Sequence, residues 1–312
     1  MKTIAPTYYR RFQCIAGACR HSCCIGWEIG IDPETLARYQ TEGGEMGGRL
    51  RRNIEVTEEG ACFRLQGKEE RCPFLNERGL CDLILTLGEG ALCQICTDHP
   101  RFRHFDADRT EVGLGLCCEA AGQLILAQEA PAQLIVAEDD GDDDPLTEEE
   151  ESLLTLRGKL IALMQDRSLS FPERLNRMQE EYLPSMPAFD AAYWADFLLT
   201  LERLDDAWAD QLNRLSSGCG CASLPDIPFE QLTVYLLFRH LPAALDDGDI
   251  RGRLAYVLLI ARLLPALAQA NAGERGISMD ALTELARLYS SEIEYSDENI
   301  TAVIDELYRL GL

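Results

Sequence analysis

The sequence has little that would place it in a membrane or outside the cell. Its longest apolar run, residues 254–267, is broken by an arginine and a proline and is too short to cross a bilayer. The first eleven residues carry three basic side chains but no apolar segment of the kind that a secretory leader requires. We therefore expect a cytoplasmic protein with no membrane partner.

A glycine-rich nucleotide turn is also missing. Such a turn lies between a strand and a helix, where it lets the backbone approach a phosphate or a nucleoside. The glycines at 43, 44, 47 and 48 follow no predicted strand, and Gly113-x-Gly115 is too short. The first group therefore favours a loop, and a cofactor pocket of the usual nucleotide-binding kind is not expected.

Positive charge is scarce in the second part of the chain. The net charge of the 312 residues is −24. Residues 1–137 hold 15 Lys and Arg against 19 Asp and Glu, whereas residues 138–312 hold 14 against 34. This surface would repel a phosphate backbone, so nucleic acid is not expected as a partner. The acidity favours either simple solubility or the attraction of a lysine-bearing partner.

Cysteine, in contrast, is abundant and clustered. Eleven of the 13 cysteines lie before residue 119, at positions 14, 19, 23, 24, 62, 72, 81, 93, 96, 117 and 118. A reducing cytosol keeps thiols free, and clustered free thiols are most simply metal ligands. Thiolates select zinc, Cu(I) or iron–sulfur clusters. The spacing Cys19-x3-Cys23 matches the start of the radical S-adenosylmethionine signature, Cys-x3-Cys-x2-Cys. The third cysteine of that signature would fall at position 26, where the sequence has Gly26, so radical chemistry of this kind is not expected.

The ligand candidates are more numerous than one closed zinc site needs. They are Cys14, Cys19, Cys23, Cys24, Cys72, Cys81, Cys93, Cys96 and Cys117. A closed zinc site takes four ligands, so either two sites exist or some of these cysteines only pack. Cys219 and Cys221, in a Gly/Ser segment, are interpreted as incidental.

The chain is predicted to be mainly α, with a loop-rich cysteine-cluster module followed by an irregular helical bundle. We expect a metal or iron–sulfur module over residues 1–137, an acidic linker over 138–151 and a helical domain over 152–312. Several helix starts are visible as caps, namely Asp32 with Pro33, Thr147 with Glu150, Ser278 and Ser296.

The motifs together resemble those of the flagellin lysine-N-methylases, a bacterial family related to the zinc- or iron-chelating cysteine-cluster proteins. The resemblance covers residues 6–127. It is carried by Pro6-x-Tyr8-x2-Arg11-Phe12-x-Cys14, Cys19-x3-Cys23-Cys24-x2-Trp27, Asp32-x2-Thr35, Cys72-Pro73-Phe74-Leu75, Gly79-Leu80-Cys81, Leu87-Gly88-Glu89, Cys96-x2-His99-Pro100-Arg101 and Cys117-x-Glu119-Ala120.

This resemblance implies methyl transfer from S-adenosylmethionine to lysine side chains of flagellin, by an enzyme that carries an iron–sulfur cluster of the [4Fe–4S] type. Zinc is the alternative metal. A non-catalytic zinc- or iron-binding protein is the alternative function, and an electron-transfer protein is a weaker one.

Side-chain chemistry alone suggests a few further site residues. Tyr8, Tyr9 and Asp98 are candidates for orienting or deprotonating an amine, although packing is the simpler role of the two tyrosines. Arg101 could bind a carboxylate of the cofactor and Trp27 could stack on its ring. An ion pair for Arg101 and a core position for Trp27 are the simpler alternatives.

Overall fold

The fold is that of a helical protein with two small sheets. The computed structural model describes residues 2–58, 60–139, 141, 145–216, 224–274 and 276–312. Helices make up 55% of the chain and strands 12%. The predicted mainly α class is confirmed.

The chain divides into two compact units whose bounds differ from the predicted modules. Residues 13–101 form one unit, here called the cysteine unit. Residues 1–12 and 102–312 form the other, the helical unit. The predicted module of residues 1–137 is therefore divided between the two, because strands near both of its ends belong to the sheet of the helical unit.

That sheet has four strands in the order β5-β6-β1-β7. Strand β1 (Lys2–Pro6) runs parallel to β6 (Arg109–Leu114) and antiparallel to β7 (Leu134–Asp139). Strand β5 (Arg101–Phe105) lies at the other edge. Because β7 reaches Asp139, the acidic segment predicted as a linker begins inside a strand, and it ends inside a helix.

Helices build the rest of this unit. They are α5 (Glu119–Leu126), α6 (Glu148–Met164), α7 (Phe171–Tyr182), α8 (Ala191–Leu198), α9 (Asp206–Ser216), α10 (Asp226–His240), α11 (Ala244–Asp247), α12 (Ile250–Asn271), α13 (Met279–Tyr289) and α14 (Asp297–Arg309). The predicted capping box of Thr147 and Glu150 starts α6, and Ser278 and Ser296 cap α13 and α14. These predictions are confirmed.

Helix α12 lies at the centre of the core. Within the described part of the chain it is also the one helix long and apolar enough to cross a membrane, but 67% of its apolar window is buried inside the protein. Burial of this kind is typical of a core helix, and α10 packs alongside it. A π-helical turn (Ser290–Glu294) follows α13 and brings Glu294 into the interior.

The cysteine unit has shorter elements. Strands β2 (Gly30–Ile31), β3 (Ile54–Val56) and β4 (Ala61–Phe63) form a sheet in the order β2-β4-β3. The helices are α1 (Pro33–Thr41), α2 (Gly44–Asn53), α3 (Asp82–Leu87) and α4 (Gln94–Asp98). Asp32 caps α1 by accepting a hydrogen bond from the Thr35 backbone N–H, as predicted.

Helix α2 corrects the prediction of a loop at the glycines. Intrinsic propensity disfavours glycine in a helix by about 1 kcal/mol per residue. Tertiary packing overrides that preference here, since Met46 and Leu50 are buried in the core of the unit. Gly47 is also required sterically, because a Cβ there would lie 2.0 Å from the carbonyl oxygen of Glu42.

Candidate metal centre

Four loops of the cysteine unit bring five thiols into one region. Cys72 and Cys93 belong to the buried core, and Cys24, Cys81 and Cys96 pack against it. Burial raises the pKa of Cys72 and Cys81, and a hydrogen bond with Cys93 raises that of Cys96; the charge of Cys24 adds to the rise in all three, which indicates that Cys24 lies near them. All five are free thiols. We call this group the five-thiol cluster.

Backbone hydrogen bonds fix the loops that carry Cys24 and Cys72. The Cys72 backbone N–H donates to the Cys24 carbonyl oxygen over 2.8 Å. The backbone N–H groups of Phe74 and Leu75 donate to the Cys72 sulfur. Burial nevertheless raises the pKa of the Cys72 thiol to about 12. A thiolate there thus has amide donors but needs positive charge from elsewhere.

Cys81 stands just before helix α3 and has a similar environment. The backbone N–H groups of Leu83 and Ile84 donate to its sulfur, as is usual at a helix N-terminus. Burial raises its pKa as well. Amide donors that converge on a sulfur stabilise a thiolate and are common around metal-bound cysteines.

Cys93 and Cys96 form a close thiol pair, with 3.4 Å between their sulfur atoms. A tetrahedral metal with bonds of about 2.3 Å to sulfur would separate two such atoms by about 3.8 Å. The thiol of Cys96 stabilises the Cys93 thiolate and lowers the pKa of Cys93, whereas the pKa of Cys96 is raised. The hydrogen bond between the two thiols therefore makes the first proton of the pair easier to remove and the second harder to remove.

Cys24 differs from the other members. A hydrogen bond from the Cys23 thiol, more than any other cause, lowers its pKa to about 7. Burial opposes this decrease in pKa, whereas a hydrogen bond with Ser22 and the charge of Arg71 lower the pKa further. The first cysteine motif thus contributes to the cluster through Cys24, with Cys23 bonded to it.

The donor set fits a thiolate-bound group. Four of the five cysteines suffice for either a zinc ion or a [4Fe–4S] cluster. Within the described ranges, no group of three or more His, Cys, Asp or Glu side chains is arranged so that it could hold a metal ion. The thiols share one region without closing around a point, and a bound metal would have to draw them together.

The remaining cysteines, of which Cys14 and Cys19 were predicted as ligands, have other contacts or lie on other segments. Cys14 is exposed, and its sulfur accepts a hydrogen bond from the Ala16 backbone N–H. The Cys19 thiol donates to the carbonyl oxygen of His21. Cys62 lies on β4, and the segment that contains Cys219 and Cys221 lies outside the described residues.

Cys117 belongs to the helical unit, not to the cysteine unit. Burial raises the pKa of its thiol to about 12, while a hydrogen bond with Tyr295 and the charge of Arg239 oppose the rise. Its ligand role stays a prediction from sequence.

The other predicted site residues are divided between the two units. Asp98, at the end of α4, accepts a hydrogen bond from Gln94 over 2.6 Å, and Arg101 donates to the Thr97 carbonyl oxygen over 3.1 Å. Trp27 is half-buried in the cysteine unit. Tyr8 is buried in the core of the helical unit and Tyr9 packs against that core. The roles predicted for these side chains stay predictions.

A buried polar network in the helical unit was not expected from the sequence. The Tyr235 hydroxyl accepts from Arg239 and donates to Glu294, both over 2.9 Å, and His240 contacts Glu294 over 2.6 Å. The Arg239 guanidinium also lies over the ring of Tyr295, 4.6 Å from its centre. The one signal in the sequence that could have indicated this network is the pair of basic residues, Arg239 and His240, that ends the apolar run of α10.

Comparison with known proteins tests the resemblance that the sequence motifs indicated. A lysine-N-methylase of Salmonella typhimurium LT2 is 31% identical over 129 residues, and one of Salmonella choleraesuis is 30% identical over 129 residues. The resemblance to the flagellin lysine-N-methylase family is confirmed. The flagellar biosynthetic protein FliU of Salmonella muenchen is 29% identical over 126 residues.

The similarity to lysine-N-methylases is partial. It covers 39% of this chain in each comparison. The chain spans 31% of the length of the two lysine-N-methylases and 75% of the length of FliU. No family model matches the chain. No solved structure matches it.

Proposed function

We propose that this protein is a lysine N-methyltransferase that acts on flagellin, uses S-adenosylmethionine and carries an iron–sulfur cluster bound by the five-thiol cluster. The observation that carries the proposal is the similarity to two proteins named lysine-N-methylase. The name of a third relative, a flagellar biosynthetic protein, supports flagellin as the substrate. The cytoplasm is the proposed location, since thiols stay reduced there.

The reaction is a displacement at carbon. The lone pair of a neutral lysine ε-amine attacks the methyl group of the sulfonium, the new nitrogen–carbon bond forms, and the carbon–sulfur bond breaks with its electron pair passing to sulfur. S-adenosylhomocysteine leaves, and the methylated ammonium releases one proton to the solvent or to a base. The protein must therefore hold the amine neutral and within about 3–3.5 Å of the methyl carbon.

The cluster is proposed to have a structural role in this enzyme. Metal binding contributes directly to folding free energy where the ligands come from separate loops. The loops of Cys24, Cys72, Cys81 and Cys93 meet this description, and their sulfurs lie beside a small core. An iron–sulfur cluster is preferred to zinc because the resemblance implies one, and four cysteines satisfy both.

A non-catalytic zinc- or iron-binding protein is the second candidate. The five free thiols favour it as strongly as they favour the enzyme. The two candidates differ only in what happens to a methyl donor.

Anaerobically purified protein with S-adenosylmethionine labelled in the methyl group and unmethylated flagellin decides between them. We expect label on flagellin lysines, identified by mass spectrometry. A Cys93→Ser variant should lose both bound metal and label transfer, while Cys62→Ser, a change in the same unit away from the cluster, should retain both. Fully metal-loaded protein that transfers no label would contradict the enzyme and support the binding protein.

A further inference from the structure

The outer edge of strand β7 has no strand beside it among the residues that the structure describes. In the sheet of the helical unit, β7 lies at one end of the order β5-β6-β1-β7 and pairs with β1 alone. An unpaired edge presents a row of backbone N–H and C=O groups, which can bind another extended chain. The edge of β7 is therefore a place where a further strand can join this sheet.

The register shows which backbone groups of β7 point outward. The Thr7 backbone N–H donates to the Gln133 carbonyl oxygen over 2.9 Å, and the pairing that follows stays regular as far as Val136. Residues of an antiparallel pair alternate between hydrogen-bonded and non-hydrogen-bonded positions. Leu134 and Val136, one and three positions after Gln133, therefore direct their N–H and C=O groups away from β1. Pro6 lies opposite Leu134 and fits this alternation, because proline has no N–H to donate.

The outward groups of these two residues are open. In the described part of the chain, no residue forms a hydrogen bond with the outward N–H and C=O groups of Leu134 and Val136. The next carbonyl oxygen, that of Ala137, accepts a hydrogen bond from the Arg10 guanidinium, so the open stretch ends there. The edge thus offers two donors and two acceptors, which is enough for a short ladder with one extended segment.

The side chains of the same two residues are exposed. Leu134 is 38% exposed and Val136 is 53% exposed. Because successive side chains of a strand point to opposite faces, these two lie on one face of the sheet. Exposed apolar side chains on an unpaired edge favour pairing with another chain. When a peptide adds to such an edge, the main-chain hydrogen bonds supply affinity and alternate side chains supply specificity. A segment with apolar side chains at alternate positions would cover Leu134 and Val136.

Strand β7 ends in acidic side chains. Glu138 and Asp139 are both exposed, and Asp139 lies opposite Lys2 of β1. Arg109 of β6 also lies opposite Lys2, and its guanidinium is paired with Asp108 over 2.6 Å. The charges of these strand ends thus nearly balance, and the neighbouring helix decides the sign of the surface.

The first turn of α6 makes this end of the sheet acidic. The Ala107 backbone N–H, next to Asp108, donates to a carboxylate oxygen of Glu150 over 2.8 Å, which places the start of the helix here. The turn carries four consecutive glutamates, Glu148 to Glu151, and all of them except Glu150 are exposed. A partner with lysine side chains is attracted to such a surface, and an acidic partner is repelled.

We propose that the outer edge of β7 binds an extended, lysine-bearing segment of a partner protein as an added strand of this sheet. Alternate apolar side chains of the segment lie over Leu134 and Val136, and its lysines remain charged and solvated beside the acidic end. A second copy of this chain fits less well, because two molecules with a net charge of −24 repel each other.

The proposal deepens the proposed function and rests on it in one respect, the identity of the partner as flagellin. The edge holds the substrate protein, and methyl transfer takes place elsewhere, since a lysine that stays charged has no lone pair for attack on a methyl group. Docking and chemistry are therefore separable by experiment.

Binding of synthetic peptides to the intact protein is the first test. The probe is fluorophore-labelled acetyl-Lys-Lys-Val-Thr-Val-Lys-Lys-amide, and its matched control has glutamate in place of every lysine. Fluorescence anisotropy at low ionic strength should show that the lysine peptide binds about tenfold more tightly, with a smaller preference at high salt. A lysine peptide that is N-methylated at alternate backbone amides cannot form the ladder and should not bind.

Val136→Pro tests the hydrogen-bonded edge. The change removes an N–H that points outward and not one that bonds β1, so the thermal midpoint should stay close to that of the wild type. The lysine peptide should bind this variant about tenfold more weakly, because one ladder donor is lost and the proline ring obstructs the added strand. Val136→Thr, which keeps the N–H and a β-branched side chain, is the control and should bind the peptide like the wild type.

Glu138→Lys tests the acidic end without changing the backbone. It should bind the lysine peptide about fivefold more weakly and the glutamate peptide more tightly. Glu180→Lys makes the same change in net charge at an exposed position of α7 and is the control. Wild-type binding of the lysine peptide by both Val136→Pro and Glu138→Lys would overturn the proposal. A wild-type dimer that Val136→Pro converts to a monomer would also overturn it, because a second copy of the chain would then occupy the edge.

Activity supplies the second readout. Val136→Pro should raise the KM for flagellin about fivefold and leave kcat unchanged, since the edge holds the substrate away from the reacting atoms. If the wild type binds the lysine peptide through this edge but labels no flagellin, the proposed function fails and the docking edge stands. If Val136→Pro labels flagellin with the KM of the wild type, the docking edge fails and the proposed function stands.

Discussion

The two units of this protein are stabilised in different ways. Among the described residues, the core of the helical unit contains fifty-two buried apolar residues in one cluster, with α12 at its centre. The core of the cysteine unit contains ten, and two of these are Cys72 and Cys93. Burial of an apolar side chain contributes about 1.5–3 kcal/mol, so the second core has much less to offset its conformational entropy. We infer that the five-thiol cluster supplies the difference through a bound metal.

The largest expected effect comes from removing a buried thiol. Cys72→Ser should abolish metal binding and release the cysteine unit from its fold, since metal affinity in such sites amounts to about 10 kcal/mol or more of folding free energy. Hydrogen exchange measured by mass spectrometry should show loss of protection in residues 13–101 and unchanged protection in α12. Cys62→Ser is the control. If the cysteine unit of Cys72→Ser were as well protected as that of the wild type, the claim that this unit depends on a bound metal would be wrong.

A smaller effect is expected from a buried ion pair in the helical unit. Glu111 is fully buried on β6 and accepts two hydrogen bonds from Arg157 of α6, over 2.5 and 2.6 Å. Glu111→Gln removes the carboxylate that is hydrogen-bonded to the buried guanidinium and should lower the free energy of unfolding by about 3–5 kcal/mol. Urea denaturation measures this, with the exposed Glu151→Gln as control.

The same variant sharpens the contrast between the units. Metal content per protein should stay unchanged in Glu111→Gln, because the helical unit does not depend on metal. If the free energy of unfolding of Glu111→Gln fell by less than about 1 kcal/mol, the ion pair would not be needed for this core.

The smallest effect is a pH-dependent one at Asp106. Burial, followed by the charge of Glu111, raises the pKa of this carboxyl group to about 6. The folded state therefore binds this proton more tightly than the unfolded state, so the contribution of Asp106 to stability is fully present below about pH 4 and is lost as the pH rises through 6. Because the group is partly screened, Asp106→Asn should stabilise the protein by about 1–2 kcal/mol at pH 7.

Thermal unfolding of Asp106→Asn and of the wild type at pH 4 and at pH 7 measures this effect. The difference between the two proteins should be present at pH 7 and nearly absent at pH 4. An equal difference at both pH values would show that the titration of Asp106 is not its cause.

Local signals in the sequence predicted local structure well. Asp32, Thr147, Ser278 and Ser296 each begin a helix by bonding backbone N–H groups within three residues, so the relevant physics lies inside a short window. Pairings between distant segments could not be predicted in that way. The parallel pairing of β1 with β6 joins Lys2 to Arg109, and nothing near either residue specifies it.

The sequence predicted the type of site but not which cysteines form it. Cysteine type and spacing indicated thiolate ligation, and the structure gathers Cys24, Cys72, Cys81, Cys93 and Cys96. Spacing alone did not separate these from Cys14, which is exposed, because the loops that decide the matter meet through long-range hydrogen bonds such as that between Cys72 and Cys24.

Metal analysis of anaerobically purified wild-type protein tests the central claim most directly. We expect iron at about four atoms per chain, with absorbance near 400 nm, and thiol titration of the native protein that misses the cysteines of the five-thiol cluster. Zinc at about one atom per chain would support a thiolate-bound metal but would show that the metal is zinc and not an iron–sulfur cluster. Protein with neither metal, an intact fold and all five thiols reactive would contradict the account.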